Sequence, residues 1–342
     1  MSDVARRTAT DSFWWPATVT PWVRGLAVAS LLTNSLLILT GGLVRLTGSG
    51  LGCPTWPRCT ADSWTSTQEM GVHGLIEFGN RLLTFVLTVV AVLTFLSVLK
   101  LRHEHPKLFR LALFLLIGIP LQAVIGGITV HADLHPLVVG VHYLISAIMI
   151  SLATLLVLNT RRDGLSVVAY EQRPGQLHGS RSAARVLGAL TGVLTAVILY
   201  LGTLVTGTGP HAGDEDSARL TFDSVMIARA HAIPVYLLTF TVIAGIALTV
   251  VKSLPRILRN AYLIMAVVIV AQALLGYYQY FNGVPVPAVA LHMVLSAVLI
   301  WAATRVVSFS VYLAQDTHEY AAPIDEPADD AARGATPAHT VR

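Results

Sequence analysis

Eight stretches of this chain are each apolar over the roughly 20 residues that a helix needs to cross a bilayer: about 25–46, 74–99, 109–130, 137–159, 186–206, 226–251, 261–281 and 288–312. Such segments leave little choice of fold. Hydrocarbon offers backbone N–H and C=O groups no partner, so only helices and closed barrels can span it. The composition agrees. Charged residues make up 12% of the 342 residues, against about 25% in a soluble domain, and the mean hydropathy is +0.66. The expected fold class is all-α, a polytopic membrane protein with eight transmembrane helices. A soluble enzyme, a nucleic-acid-binding protein and a secreted disulfide scaffold are excluded. The net charge of +4 sits mostly in short loops and tails, so the basic balance is no argument for nucleic acid.

Lys and Arg set an orientation. With both termini cytoplasmic, all but five of the 23 Lys and Arg residues fall inside, the five being Arg45, Arg58, Arg81, Arg219 and Arg229. The loops 131–136 and 282–287 carry none. The positive-inside rule therefore gives a multi-pass protein with its N-terminus and C-terminus in the cytoplasm. The first apolar run is long enough to span and lacks a small-residue cleavage site, so it reads as a span and not as a signal peptide. The tail from Asp316, rich in Ala, Asp, Glu and Pro, is expected to be disordered.

The two halves resemble each other. A shift of 150 residues lays Leu121-Gln122-Ala123-Val124-Ile125-Gly126 over Ala271-Gln272-Ala273-Leu274-Leu275-Gly276, His142 over His292, and Ser146 over Ser296. Thr47-Gly48-Ser49-Gly50 resembles Thr206-Gly207-Thr208-Gly209. Each half has four spans, so the halves share one orientation. The expectation is two tandem four-helix bundles related by a pseudo-two-fold along the membrane normal. The divisions that follow are a cytoplasmic N-terminal segment 1–24, an N-terminal bundle 25–160, a cytoplasmic linker 161–185, a C-terminal bundle 186–312 and a disordered tail 313–342.

Ionisable side chains inside spans are costly and mark functional positions. Here they are His142, His231, His292, Glu77 and Arg81, with His73 just ahead of the second span. By the topology above they lie near the outer ends of spans 2, 4, 6 and 8. Four-helix bundles build cofactor sites from side chains on facing helices. His231 and His292 form a pair of neutral imidazoles suited to both axial positions of a haem iron. Zinc is disfavoured, since no further Cys, Asp or Glu accompanies them. In the N-terminal half His142 is present, but a shift of 151 places Asn80 opposite His231. That half then offers an open or weakly held iron position beside Glu77. Positions 73, 77, 80 and 81 share one helical face. An alternative role for Glu77 is an i,i+4 ion pair with Arg81, worth about 0.3–0.5 kcal/mol on an exposed helix.

Cys53 and Cys59 lie in Gly52-Cys53-Pro54-Thr55-Trp56-Pro57-Arg58-Cys59, on the outer side, where a disulfide can persist. So small a loop gains less than the roughly 3 kcal/mol that chain entropy assigns to a loop of about 15 residues. A disulfide here either shapes the loop over the N-terminal site, cycles, or is a simple clip.

At these residues the chain resembles the haem A synthase (CtaA) family over residues 20–312. The carrying motifs are Gly41-Gly42-Leu43-Val44-Arg45-Leu46-Thr47-Gly48-Ser49-Gly50-Leu51-Gly52-Cys53, then Trp56-Pro57 with Cys59, then Ile76-Glu77-Phe78 through Arg81. The stretch 206–214 is similar to the actinobacterial branch. The resemblance implies oxidation of the C8 methyl of haem O to a formyl group by successive hydroxylations, giving haem A for aa3-type terminal oxidases. It implies haem B in the C-terminal half, on His231 and His292, and haem O or haem A as substrate or product in the N-terminal half, against His142. The family's essential carboxylate falls on Glu77, and its paired cysteines on Cys53 and Cys59. The family motif has His where this chain has Asn80, so ligation by His142 alone is expected, with His73 the alternative two turns earlier. Arg45 and Arg81 are candidates for the haem propionates.

The implied partners are haem O, haem O synthase, aa3-type oxidase assembly, an electron donor and the lipid bilayer of a bacterial plasma membrane. Self-association into a homo-oligomer stays open. A dihaem b-type electron-transfer cytochrome would explain the histidines and the repeat, but not Glu77 beside an incomplete ligand pair. A small-molecule transporter suits the repeat but not the histidines.

Overall fold

A computed structural model of the chain describes residues 15–161 and 178–314. The expected disorder of the tail and most of the 161–185 linker lie outside the described residues. Among the described residues, eight helices are long and apolar enough to cross a membrane: α1 Pro21–Leu46, α2 Gly71–Val98, α3 Pro106–His131, α4 Pro136–Thr160, α5 His178–Thr208, α6 Ser224–Val251, α7 Arg256–Phe281 and α8 Val286–Ala314. Two single-turn 3-10 helices, Gln68–Met70 and Lys100–Arg102, complete the regular structure, and there is no strand among the described residues. The protein is a multi-pass, all-helical membrane protein.

Every helix coincides with one of the eight apolar runs, and most extend beyond it. Helical hydrogen bonding continues into polar flanks that hydropathy does not count. Pro21, Pro106 and Pro136 open α1, α3 and α4, where the missing N–H has no intrahelical partner to lose. Asp223 caps α6, its carboxylate accepting from the Met226 N–H at 2.7 Å. Four helices end on the same device, a bond from an N–H five residues on to the last turn's carbonyl: Ser49 to Val44, Leu134 to Thr129, Leu254 to Thr249 and Val284 to Gln279, each at 2.9 Å. In the α3–α4 turn Asp133 and Leu134 both adopt positive φ, and 150 residues later Gly283 and Val284 do the same in the α7–α8 turn. The repeat seen in side chains is thus repeated in the backbone.

Helices α1 to α4 close a ring, each packing on the next and α4 on α1, and α5 to α8 close a second. The rings meet where α4 touches α5 and α8, and α8 touches α1. Lipid tails are as apolar as leucine, so close packing and polar contacts must hold spanning helices together. Glycines permit this: Gly42 of α1 receives Met293 of α8, Gly140 of α4 receives Thr203 of α5, and Gly188 of α5 receives Ser310 of α8. Ile38, Ala147, Ile150, Ala297 and Ile300 form the apolar seam between the rings. Beside it the Tyr143 hydroxyl donates to Ser296 Oγ at 2.8 Å.

The apolar cores lie toward the end where α1 begins and α8 ends, around Leu101, Leu108 and Leu156 in the first ring and Tyr262, Met265 and Phe309 in the second. The intramembrane histidines lie toward the opposite end, the end that carries the 47–70 loop.

Candidate functional site

Each ring places a histidine by the same three-residue arrangement. In the second, the His292 ring on α8 packs against Gly276 of α7, with Cε1 3.8 Å from where a Cβ would stand. Four residues before that glycine, Gln272 donates through Nε2 to the His292 carbonyl at 3.2 Å. In the first ring His142 packs against Gly126 of α3, Cε1 at 3.4 Å and Nε2 at 3.8 Å, and Gln122 donates to the His142 carbonyl at 3.2 Å and to Ser146 Oγ at 2.6 Å. The spacing of 20 between Gln and His therefore reflects one helix gripping the backbone of its neighbour. His231 packs in turn against Gly202 of α5, with Cε1 at 3.3 Å.

His231 and His292, on diagonally opposed helices, are electrostatic neighbours. The diagonal in the other half differs. Asn80 on α2 accepts a hydrogen bond at Oδ1 from Thr40 of α1 at 2.8 Å. Polar contacts flank that one on both sides: Ser49, in the loop after α1, with His73 Nδ1 at 2.9 Å, and Ser30 of α1 with Thr94 of α2 at 3.0 Å. His73, proposed from sequence as a substitute ligand, is exposed and turned toward Ser49.

Glu77 is 5% exposed and has both oxygens engaged. Oε2 accepts from the Cys53 N–H at 2.6 Å. Oε1 pairs with the Arg81 guanidinium one turn on. Arg81 donates further to the carbonyls of Thr55 at 3.0 Å, Cys53 at 3.1 Å and Arg58 at 3.3 Å. The i,i+4 ion pair exists, and it fastens the 53–59 loop. Cys53 and Cys59 form a disulfide with a Cα–Cα distance of 4.5 Å, and both are fully buried. At Gly52 the loop backbone lies so close to α2 that a Cβ would meet the Gly74 nitrogen at 2.8 Å. Arg45 joins the two rings, donating to the carbonyls of His211 at 2.6 Å and Thr206 at 3.0 Å. Neither arginine has a side-chain carboxylate from the opposite ring; both hold backbone.

The residues present fit haem. The Nδ1 atoms of His142, His231 and His292 are buried with no hydrogen-bond partner, as are the Oε1 atoms of Gln122 and Gln272. Unpaired buried polar atoms are costly and call for an account. Each ring stands beside a glycine, leaving room that a side chain would fill. A lone imidazole suits an iron already held by a macrocycle. Among the described residues no group of three or more His, Cys, Asp or Glu could cage a bare metal ion.

Residues 24–304 match the COX15-CtaA family, described as cytochrome oxidase assembly protein. The chain belongs to this family. Within curated relatives, this COX15-CtaA member is 31% identical over 195 residues to the heme A synthase of Bacillus pumilus, covering 54% of this chain and 59% of that protein. It is 37% identical over 142 residues to the heme A synthase of Lysinibacillus sphaericus, covering 40% and 44%. It is 32% identical over 147 residues to the heme A synthase of Shewanella oneidensis, covering 39% and 44%. The matched stretches thus span about half the length of these relatives.

Sequence reasoning missed three features of this COX15-CtaA member. The glycines facing the histidines were visible as a repeated spacing of 16, in Gly126 to His142 and Gly276 to His292. Thr40 opposite Asn80, and the loop grip of Glu77 and Arg81, had no local signal.

Proposed function

We propose that the chain is a haem A synthase, which oxidises the C8 methyl of haem O to a formyl group by two successive hydroxylations and loss of water. The observation that carries the reading is the inequality of the halves. One holds two imidazoles as neighbours, and the other holds His142, an amide on the helix diagonal to it, and a buried carboxylate.

In this reading His231 and His292 hold a b-type haem, which supplies one-electron transfer when bound. Haem O is the substrate, seated in the N-terminal half against His142. Asn80, a poor iron ligand, leaves the other side of that iron free of a second protein imidazole. Glu77 is the catalytic carboxylate, holding or moving a proton at Oε2. Arg45 and Arg81 are the candidate cations for the haem propionates, because a guanidinium pairs bidentately with a carboxylate. The methyl-to-formyl change removes four electrons from one carbon, so an electron-carrying half beside a substrate half is a sensible division.

The divisions 25–160 and 186–312 are the two functional halves of this reading, and the closing of α1–α4 and of α5–α8 into rings supports them. The pseudo-two-fold is supported by the contacts between the rings, since exchanging the halves turns the α4–α5 contact into α8–α1 and leaves α4–α8 unchanged. The charge bias supports cytoplasmic termini in a bacterial plasma membrane, and the 206–214 stretch supports an actinobacterial-type member. Haem O synthase and the assembly of aa3-type oxidases are the functional partners of this reading.

Pigment extraction from the purified protein tests it. Haem B together with haem O or haem A is expected. Haem B alone, from cells that make haem O, would instead identify a dihaem electron-transfer cytochrome.

A further inference from the structure

The Trp56-Pro57 step of the disulfide loop has no part in the function so far, yet it reaches the N-terminal site. The Trp56 indole lies directly on Gly127 of α3. A Cβ there would stand 2.5 Å from Cδ2, 2.8 Å from Cε3 and 2.9 Å from Cε2. The preceding residue, Gly126, is the one that the His142 ring faces, with Nε2 at 3.8 Å. Gly126 and Gly127 are consecutive, so imidazole and indole meet α3 at heights about 1.5 Å apart along the helix and at positions about 100° apart around it. The loop is held on both sides of the indole: Arg81 binds the carbonyls of Cys53, Thr55 and Arg58, Glu77 binds the Cys53 N–H, and the Cys59 sulfur rests 3.5 Å from Met70 Sδ.

The other half lacks this wall. The 150-residue shift puts Tyr277 where Gly127 stands. Its own side chain occupies that face of α7, half exposed, with its hydroxyl 2.6 Å from that of Tyr236. His292 keeps its glycine, but no glycine lies beside it to receive a ring from a loop.

We propose that Trp56 is a wall of the substrate site, its indole contacting the porphyrin of the haem seated at His142, and that Glu77 and Arg81 also act as the positioning pair for this wall. The inference rests on the reading that haem O occupies the N-terminal half. An aromatic ring laid against a porphyrin adds area and stacking, and it shields the His142 side of the pocket from the loop end of the bundle. The disulfide and the Glu77–Arg81 grip keep the indole in place before substrate arrives, which lowers the ordering cost of binding.

The test uses detergent-solubilised protein carrying its C-terminal haem, titrated with haem O and followed in the Soret band, with release timed by transfer to a haem-scavenging apoprotein. Trp56→Leu should weaken haem O binding about tenfold and speed release, and Trp56→Phe should recover most of the loss. Gly127→Ala leaves Trp56 intact but pushes the indole off the helix, and should behave like Trp56→Leu. The C-terminal haem spectrum should stay unchanged in all three, which reports the fold. Affinity and release within twofold of wild type in both Trp56→Leu and Gly127→Ala overturn the proposal. If the wild type takes up no haem O in a manner that His142→Ala abolishes, the reading of the N-terminal half is what fails.

Discussion

Gln272 on α7 donates to the backbone carbonyl of His292 on α8 at 3.2 Å, and Gln122 on α3 makes the same bond to His142 on α4 at the same length. A side chain that binds the backbone of its neighbour fixes the register of two helices, and with it which glycine the imidazole meets. Gln272→Leu removes a hydrogen bond worth about 1 kcal/mol and frees α8 to slide. It should lower the thermal midpoint and hasten loss of the b-type haem in detergent, while Gln122→Leu leaves that haem in place. Equal haem retention in both variants would show that the glutamines do not set the ligand register.

The axial assignment has its own test. His231→Ala or His292→Ala should each abolish the low-spin b-type signal, because each removes one iron ligand, whereas His142→Ala should leave it largely intact. Loss of that signal in His142→Ala would mean that the roles of the two halves are reversed.

Glu77→Gln keeps an acceptor for the Cys53 N–H but loses the charge opposite Arg81. The structural loss is on the order of 1.5–3 kcal/mol, the worth of a hydrogen bond to a charged group, and the C-terminal haem should survive it. Removing a proton-transfer group commonly lowers a rate by about 10²–10⁴, so haem O should accumulate and haem A should fall at least a hundredfold in extracted pigments. Unchanged haem A would leave Glu77 with the loop grip alone.

Asn80 faces Thr40 of α1, as His231 faces Gly202 of α5. Both side chains turn to the first helix of their half. Asn80→His should move the N-terminal haem toward a low-spin form without altering the C-terminal one. Combining it with Thr40→Gly, which removes the side chain that Asn80 now meets, should strengthen the change. Carbon monoxide should bind the reduced wild type loaded with haem O and bind the variant less, as read in difference spectra. A wild type with no adduct would require a second ligand, with His73 the first suspect.

The disulfide is buried at both sulfurs. Alkylation of fresh membranes without reductant should label neither Cys53 nor Cys59. Mild reductant should act slowly on the folded protein and quickly after unfolding. Free thiols in mass maps of unreduced membranes would contradict the bond.

Much of this architecture is legible in the sequence because the bilayer penalises polar groups locally. Each span is a property of about 20 consecutive residues, so α1 to α8 fall where the hydropathy puts them, and the few polar residues inside them stand out. The Gln–Gly–His repeat is legible for the same reason, since 122, 126 and 142 recur at 272, 276 and 292 in otherwise apolar runs. The propionate candidates Arg45 and Arg81 stand out equally, but their partners do not. Arg45 binds carbonyls 161 and 166 residues away, and Arg81 binds the loop before its own helix.

By itself, then, the sequence determined the eight spans and the identity of the intramembrane histidines and carboxylate. Only the tertiary structure decided that Glu77 and Arg81 grip the disulfide loop, that Asn80 meets Thr40, and that Trp56 lies on Gly127, the residue after the glycine that the His142 ring meets. Burial follows from composition over one span. Which faces meet depends on the rotation and register of one helix against another, and those are set by glycines, caps and turns acting together across the bundle.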